Sequence, residues 1–159
     1  MDVKELHERL IRSGLADENS IQGCSEYELA EIAFAARRDL PTSYREFMAT
    51  FGKKAGKFMA DVDMFYPGVL SLRTTADEIL DDLEQQRLSL PLRAFVFGIR
   101  YKEQFVFFAD STDDPEVCHY FSGDLKFRKI ADSYWDHIEA ELEEAERNEK
   151  ETRGKYFDF

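Results

Sequence analysis

Long apolar runs are missing from this sequence. No stretch approaches the roughly 18–20 consecutive apolar residues that a membrane-spanning helix requires. The start, Met1-Asp2-Val3-Lys4-Glu5, is charged and lacks the apolar run of a secretory signal. Cysteine is scarce: Cys24 and Cys118 sit in no CxxC or other ligand spacing, and the disulfide framework of a small secreted domain would need more. These absences predict cytoplasmic residence with reduced thiols. Internal repeats and Pro/Gly/Ser-rich linkers are also absent, so residues 1–159 read as one domain, a length that buries about 70% of the unfolded surface.

Positive charge is in deficit. Lys and Arg number 21 against 33 Asp and Glu, a net charge of −12. The imbalance is uneven: residues 1–74 carry 12 acids and 10 bases, residues 75–159 carry 21 acids and 11 bases. Such a surface repels nucleic-acid phosphates and attracts basic proteins. Acidity also serves solubility, so charge alone argues against a DNA or RNA binder without naming a partner.

Chemical motifs are lacking as well. No GxSxG, HExxH, P-loop or GxGxxG is present. Of the three histidines, His119 adjoins Cys118, and neighbours on a strand point to opposite faces, a poor thiolate–imidazole geometry. His137 stands one turn after Ser133, and His7 has no partner pattern, so all three read as structural. The pairs Asp61/Asp63, Asp81/Asp82 and Asp113/Asp114 have no calcium-loop spacing. No catalytic residue, metal or cofactor is expected.

What is present is apolar material for one core: 43% hydrophobic residues and 14 Phe. Val3, Leu6 and Leu10 predict a helix over residues 2–12, with Asp2 and Glu5 able to cap it. Ser25 and Glu28 form a capping-box pattern ahead of Leu29, Ile32, Ala33 and Ala36, a helix expected to run to about Leu40 before Pro41. Ser43 and Glu46 suggest a second box opening a helix with Tyr44, Phe47, Met48 and Phe51 at i, i+3, i+4, i+7, ended by a left-handed Gly52. Lys53-Lys54-Ala55-Gly56-Lys57 is a basic loop, and residues 58–72 read as irregular. A fourth helix is expected from Thr75, capped by Thr75 and Glu78, to about Arg87, with Ala76, Ile79, Leu80 and Leu83 as its apolar face. Residues 94–100, 104–110, 116–121 and 125–130 are rich in aromatic and β-branched residues and predict strands in two hairpins, the last nearer an edge. From about Asp132, with Trp135, Ile138 and Leu142 at helical spacing, a closing helix is expected. Its charged end and aromatic tail occupy residues 143–159. Helices, then an antiparallel sheet, then a helix make an α+β fold.

Gly23-Cys24-Ser25-Glu26-Tyr27-Glu28-Leu29, followed by Leu40-Pro41-Thr42-Ser43-Tyr44-Arg45-Glu46-Phe47 and Gly52, resembles the N-terminal signature of the SUKH superfamily. The later elements are similar in kind and order. The resemblance implies N-terminal helices packed on a central antiparallel sheet with a C-terminal helix, used as a protein-binding module. It implies structural roles for Gly23, Leu40, Pro41, Tyr44, Phe47 and Gly52: Leu40, Tyr44 and Phe47 in the core, Pro41 starting a helix and Gly52 stopping it. Bacterial members are frequently immunity proteins that silence a nuclease or nucleic-acid deaminase toxin, and a fungal branch regulates cell-wall synthesis through protein contacts.

The expected partner is therefore a cognate protein toxin, basic in charge. The alternatives are a regulatory or scaffold module and, third, an enzyme for which the sequence offers no convergent site. Candidate partner-binding residues are Asp81, Asp82 and Glu84 on the fourth helix and Asp110, Asp113, Asp114 and Glu116 after the second strand, because loops on a rigid scaffold carry binding residues. Tyr156, Phe157 and Phe159 are expected to cover the core or a sheet edge, or else to anchor a partner.

Overall fold

The structure is a computed structural model that describes residues 1–81, 88–110 and 112–157, with the last two of these described in backbone only. Helix α1 spans Val3–Ser13. Asp2 caps it by accepting from Glu5 N, and Gly14 closes it at φ 78°. Helix α2 spans Glu26–Ala36 with both halves of the Ser25/Glu28 capping box formed. It ends four residues short of Leu40, because Arg37 turns left-handed at φ 55° and folds its N–H back onto the Ala33 and Phe34 carbonyls.

Helix α3, Thr42–Phe51, starts at Pro41 without any side-chain cap. The expected Ser43/Glu46 box is not made. Ser43 lies buried inside the first turn, and its N–H donates to the Asp113 carbonyl at 2.9 Å. Gly52 is right-handed at φ −63°, so left-handed freedom is not its purpose. A Cβ there would lie 2.4 Å from the Met48 oxygen and 2.5 Å from Cys24 Sγ, so close packing excludes a side chain. Gly23 shows the same logic more strongly: a Cβ would meet the Ala49 carbonyl oxygen at 1.8 Å. Backbone touches backbone here, and Cys24 N donates to Met48 O at 2.9 Å.

A two-residue ribbon pairs β1, Ile21–Gln22, with β2, Lys54–Ala55. The expected irregular stretch holds β3, Val62–Asp63, and a 3-10 turn at Gly68–Ser71. Helix α4 begins at Leu72, earlier than Thr75, whose hydroxyl donates back to the Ser71 carbonyl as a mid-helix residue. It is described as far as Asp81, and its expected continuation, with Leu83, lies outside the described residues.

The main sheet is antiparallel with order β3-β4-β5-β6-β7, where β4 is Phe95–Arg100, β5 Gln104–Phe108, β6 Val117–Phe121 and β7 Arg128–Ala131. The aromatic runs form interior strands and the looser β7 is an edge. A bulge falls where Val96 pairs with Phe107 and Gly98 with Val106, leaving Phe97 as the extra residue.

Tyr44 of α3 joins helix to sheet, its ring 5.1 Å from Phe95, 5.8 Å from Phe108 and 5.7 Å from Tyr134. Phe47 meets Tyr134 edge-on at 5.8 Å. Burial of each such side chain contributes about 1.5–3 kcal/mol. Leu40 is only half-buried against this core, since the chain has already left α2.

Helix α5 runs Tyr134–Phe157, well past the apolar face that ends at Leu142. Ion pairs extend it. Arg9 of α1 bonds Glu146 and lies 3.6 Å from Glu139, Lys57 reaches Glu149 at 3.1 Å, and Arg153 meets the same Glu149 at 3.3 Å. The Lys57 hydrogen bond holds the Glu149 carboxyl below its usual range. The side chains of Tyr156, Phe157 and Phe159 lie outside the described residues.

Candidate partner-binding surface

Helix α2 is apolar on two faces. Leu29 and Ile32 are buried against α3 and the core. Tyr27, Ala30, Glu31 and Phe34 follow i, i+3, i+4, i+7 on another stripe, and there Tyr27 is 75% and Phe34 86% exposed. With Ala35 and Leu70 of the 3-10 turn, this stripe lines a shallow, almost wholly apolar groove. Tyr66 Oη donates to Glu31 at 2.7 Å, fixing the one acid within it. At the start of α2, Glu26 meets Arg45 of α3 at 2.5 Å. Ala35 and Leu70 also border a second groove that leads past Arg37, Arg73 and Asp77 to Leu92, itself 91% exposed. Arg73 is held by Asp77 at 3.1 Å and by the Ala94 carbonyl at 2.8 Å.

Two large exposed aromatics on one stripe of a capped helix are the kind of rigid anchor that dominates protein interfaces. Sequence reasoning followed the buried stripe and passed over this one. The available signal was Phe34, an aromatic residue off the Leu29–Ile32–Ala36 face.

The acids singled out in the sequence fall in three places. Asp81 is exposed at the described end of α4, and Asp82 and Glu84 lie outside the described residues. Asp110, Asp113, Asp114 and Glu116 share the loop between β5 and β6, which is tied inward. The Asp110 carbonyl accepts from Arg38 Nη2 at 2.6 Å. Asp113 Oδ1 accepts from Thr42 Oγ1 at 3.0 Å. Asp114 Oδ1 accepts from the backbone N–H groups of Tyr134 and Trp135. Glu116 lies 3.5 Å from Lys129. The loop thus ties the starts of α3 and α5 together while leaving its carboxylates at the surface.

Nucleophilic groups are subdued. Burial pushes the Cys24 thiol up to about 11, with Glu28 adding to the effect, and burial likewise raises Cys118. His7 lies 3.3 Å from Glu18, and His119 Nε2 bonds Gln104 Oε1 at 2.9 Å. Among the described residues, no group of three or more His, Cys, Asp or Glu side chains is placed to hold a metal ion. No described helix is long and apolar enough to cross a membrane.

Helices packed on a five-stranded antiparallel sheet, with an exposed aromatic stripe on α2, define an α+β domain. The model of the SMI1/KNR4 family (SUKH-1) matches residues 23–140, about three quarters of the chain. The chain belongs to this family. Comparison with curated protein sequences gives no match.

Proposed function

We propose that this protein is an immunity protein: it acts by contact rather than catalysis, binding and silencing a basic cognate toxin of the nuclease or nucleic-acid deaminase type in the cytoplasm. The observation that carries the reading is the exposed Tyr27–Phe34 stripe on the signature helix of a SUKH-family chain. The aromatic pair supplies the anchor. The acidic surface, including Asp81, Asp110, Asp113, Asp114 and Glu116 and in sequence Asp82 and Glu84, steers a basic partner and competes with its nucleic-acid substrate.

The test is co-expression with toxins encoded beside this gene, scored by survival, followed by binding measurements on the purified pair. Replacing both Tyr27 and Phe34 by Ala should weaken binding by roughly tenfold or more and abolish protection, leaving thermal stability unchanged. Association should slow as salt rises. A dominant partner that is neutral or acidic, bound without regard to salt, would favour the regulatory alternative instead.

A further inference from the structure

Two of the three acids of α2 have a cation. Glu26 meets Arg45 at 2.5 Å, and Glu28 meets Lys53 at 2.7 Å. Glu31 differs. Its Oε1 accepts from Tyr66 Oη at 2.7 Å, and among the described residues no Lys or Arg pairs with it. Lys53 lies over the Tyr66 ring, 5.6 Å from its centre, but its ammonium is held by Glu28. The hydrogen bond to Glu31, then burial and the Glu31 charge, push the Tyr66 hydroxyl up to about 12, so the phenol stays a donor. Tyr66 therefore fixes the carboxylate in place without neutralising it.

The surroundings are apolar. Glu31 is half-buried in the groove whose other walls are Tyr27, Ala30, Phe34, Ala35 and Leu70. Tyr27 precedes it by four residues and Phe34 follows by three, so the two aromatic residues flank it on one face of α2. They stand about 10 Å apart along the helix axis, at 1.5 Å per residue, with only the Ala30 methyl group between them on that side. Glu31 Oε2 is unpaired yet open to solvent, so an incoming group can reach it.

These features narrow the occupant. An anion would be repelled by Glu31, and a neutral apolar side chain would desolvate its charge without compensating it. A cation on a long apolar stem meets both demands, because the stem can lie along the aromatic rings. Arginine suits the groove better than lysine. Its flat guanidinium stacks on an aromatic face while its edge N–H groups reach a carboxylate, whereas an ammonium is compact and strongly hydrated.

We propose that Glu31, with Tyr27 and Phe34, receives one arginine side chain of the protein partner. This rests on the reading of the α2 stripe as the partner-binding face, and it makes Glu31 the residue that selects what the stripe accepts. The rings take the face of the guanidinium and Glu31 takes its edge.

The probe is ethylguanidinium, an analogue of the arginine head group, with ethylammonium as its control. Each is titrated into isotope-labelled protein at constant ionic strength and read by NMR. Ethylguanidinium should shift the signals of Tyr27, Ala30, Glu31 and Phe34 saturably. It should bind about twofold to fivefold more tightly than ethylammonium, the worth of one cation–π contact. Glu31→Gln isolates the charge, since the amide oxygen can still accept from Tyr66 Oη, and it should weaken ethylguanidinium by about threefold. If this variant fails to fold, Tyr27→Ala should still weaken the probe, because Tyr27 is exposed. No saturable shift in the parent, equal affinity for the two cations, or an unchanged affinity in the folded variant overturns the proposal. In a second arm, Glu31→Gln should weaken binding of the cognate toxin, and an unchanged toxin affinity overturns the assignment to a partner arginine. A toxin still neutralised by Glu31→Gln leaves the immunity reading standing, and the first arm needs no toxin, so the two failures are distinct.

Discussion

Asp114 stands twenty residues before Tyr134, yet its Oδ1 accepts the Tyr134 backbone N–H at 2.9 Å. The same oxygen takes the Trp135 N–H at 3.3 Å, while Ser133 Oγ accepts from Asp136 N at 3.0 Å. A carboxylate from a distant loop thus completes the start of the longest helix, where free N–H groups and the helix dipole both favour negative charge.

Asp114→Ala should therefore cost about 1–2 kcal/mol, the usual worth of a lost cap, and Asp114→Asn should recover most of it. Urea denaturation measures both. Reversing Asp113 and Asp114 together to Lys should lower stability as well as slow toxin association, so the two effects must be read in separate assays. An Asp114→Ala protein as stable as its parent would show that Ser133 suffices.

Phe47→Ala should cost about 3–5 kcal/mol, the range for emptying a buried aromatic site. The Phe47 ring is fully buried, 5.3 Å from Phe51 and 5.8 Å from Tyr134. A variant melting within a degree or two of the parent would remove that face of α3 from the core.

Gly23→Ala should cost about 1–3 kcal/mol or more, although it adds a single methyl group. The atom it meets is the Ala49 carbonyl oxygen, a backbone group that cannot swing aside as a side-chain end would. Gly68→Ala is the control, since its Cβ would meet nothing within 4 Å. Equal melting temperatures for the two variants would contradict the close approach of this segment to α3.

His137 sets a pH dependence. Its folded value is lowered to about 4, by burial first and then by the charges of Arg100 and His119, against about 6.5 in an unfolded chain. Between those values the unfolded chain binds the proton and the folded one does not, so stability falls as acid is added. The contribution is complete above about pH 6.5 and declines toward pH 4, by about 3 kcal/mol in all. His137→Phe should flatten the stability profile across that window, measured by denaturant titration at successive pH values. An unchanged slope would mean the imidazole is protonated in the folded state.

Residues that repeat with a period were legible in the sequence. The stripe Tyr44, Phe47, Met48, Phe51 and the strand runs around Phe95 and Phe107 are buried where the pattern predicts. Ends were less legible, because they depend on partners elsewhere in the chain. Ser43 looks like a cap in sequence and is instead occupied by the Asp113 carbonyl. Gly52 does close α3, but in right-handed geometry, and its missing side chain makes room for Cys24 Sγ. The two halves of the charge count are likewise not two halves in space, since Arg9 and Lys57 cross over to pair with Glu146 and Glu149. The candidate surface was hidden for a related reason: periodicity finds the buried face of a helix, and Tyr27 and Phe34 lie off it.

The pairing of Arg9 with Glu146 spans 137 residues. During synthesis α1 emerges long before its counter-charges on α5 exist, and closing so large a loop gains no reward until α5 has been made. That ion pair is therefore expected to close late, after the local hairpins β4–β5 and β6–β7, whereas α1 also packs on α3, much nearer in the chain. Hydrogen exchange after a short refolding pulse should see the hairpin amides protected before those of the far half of α5.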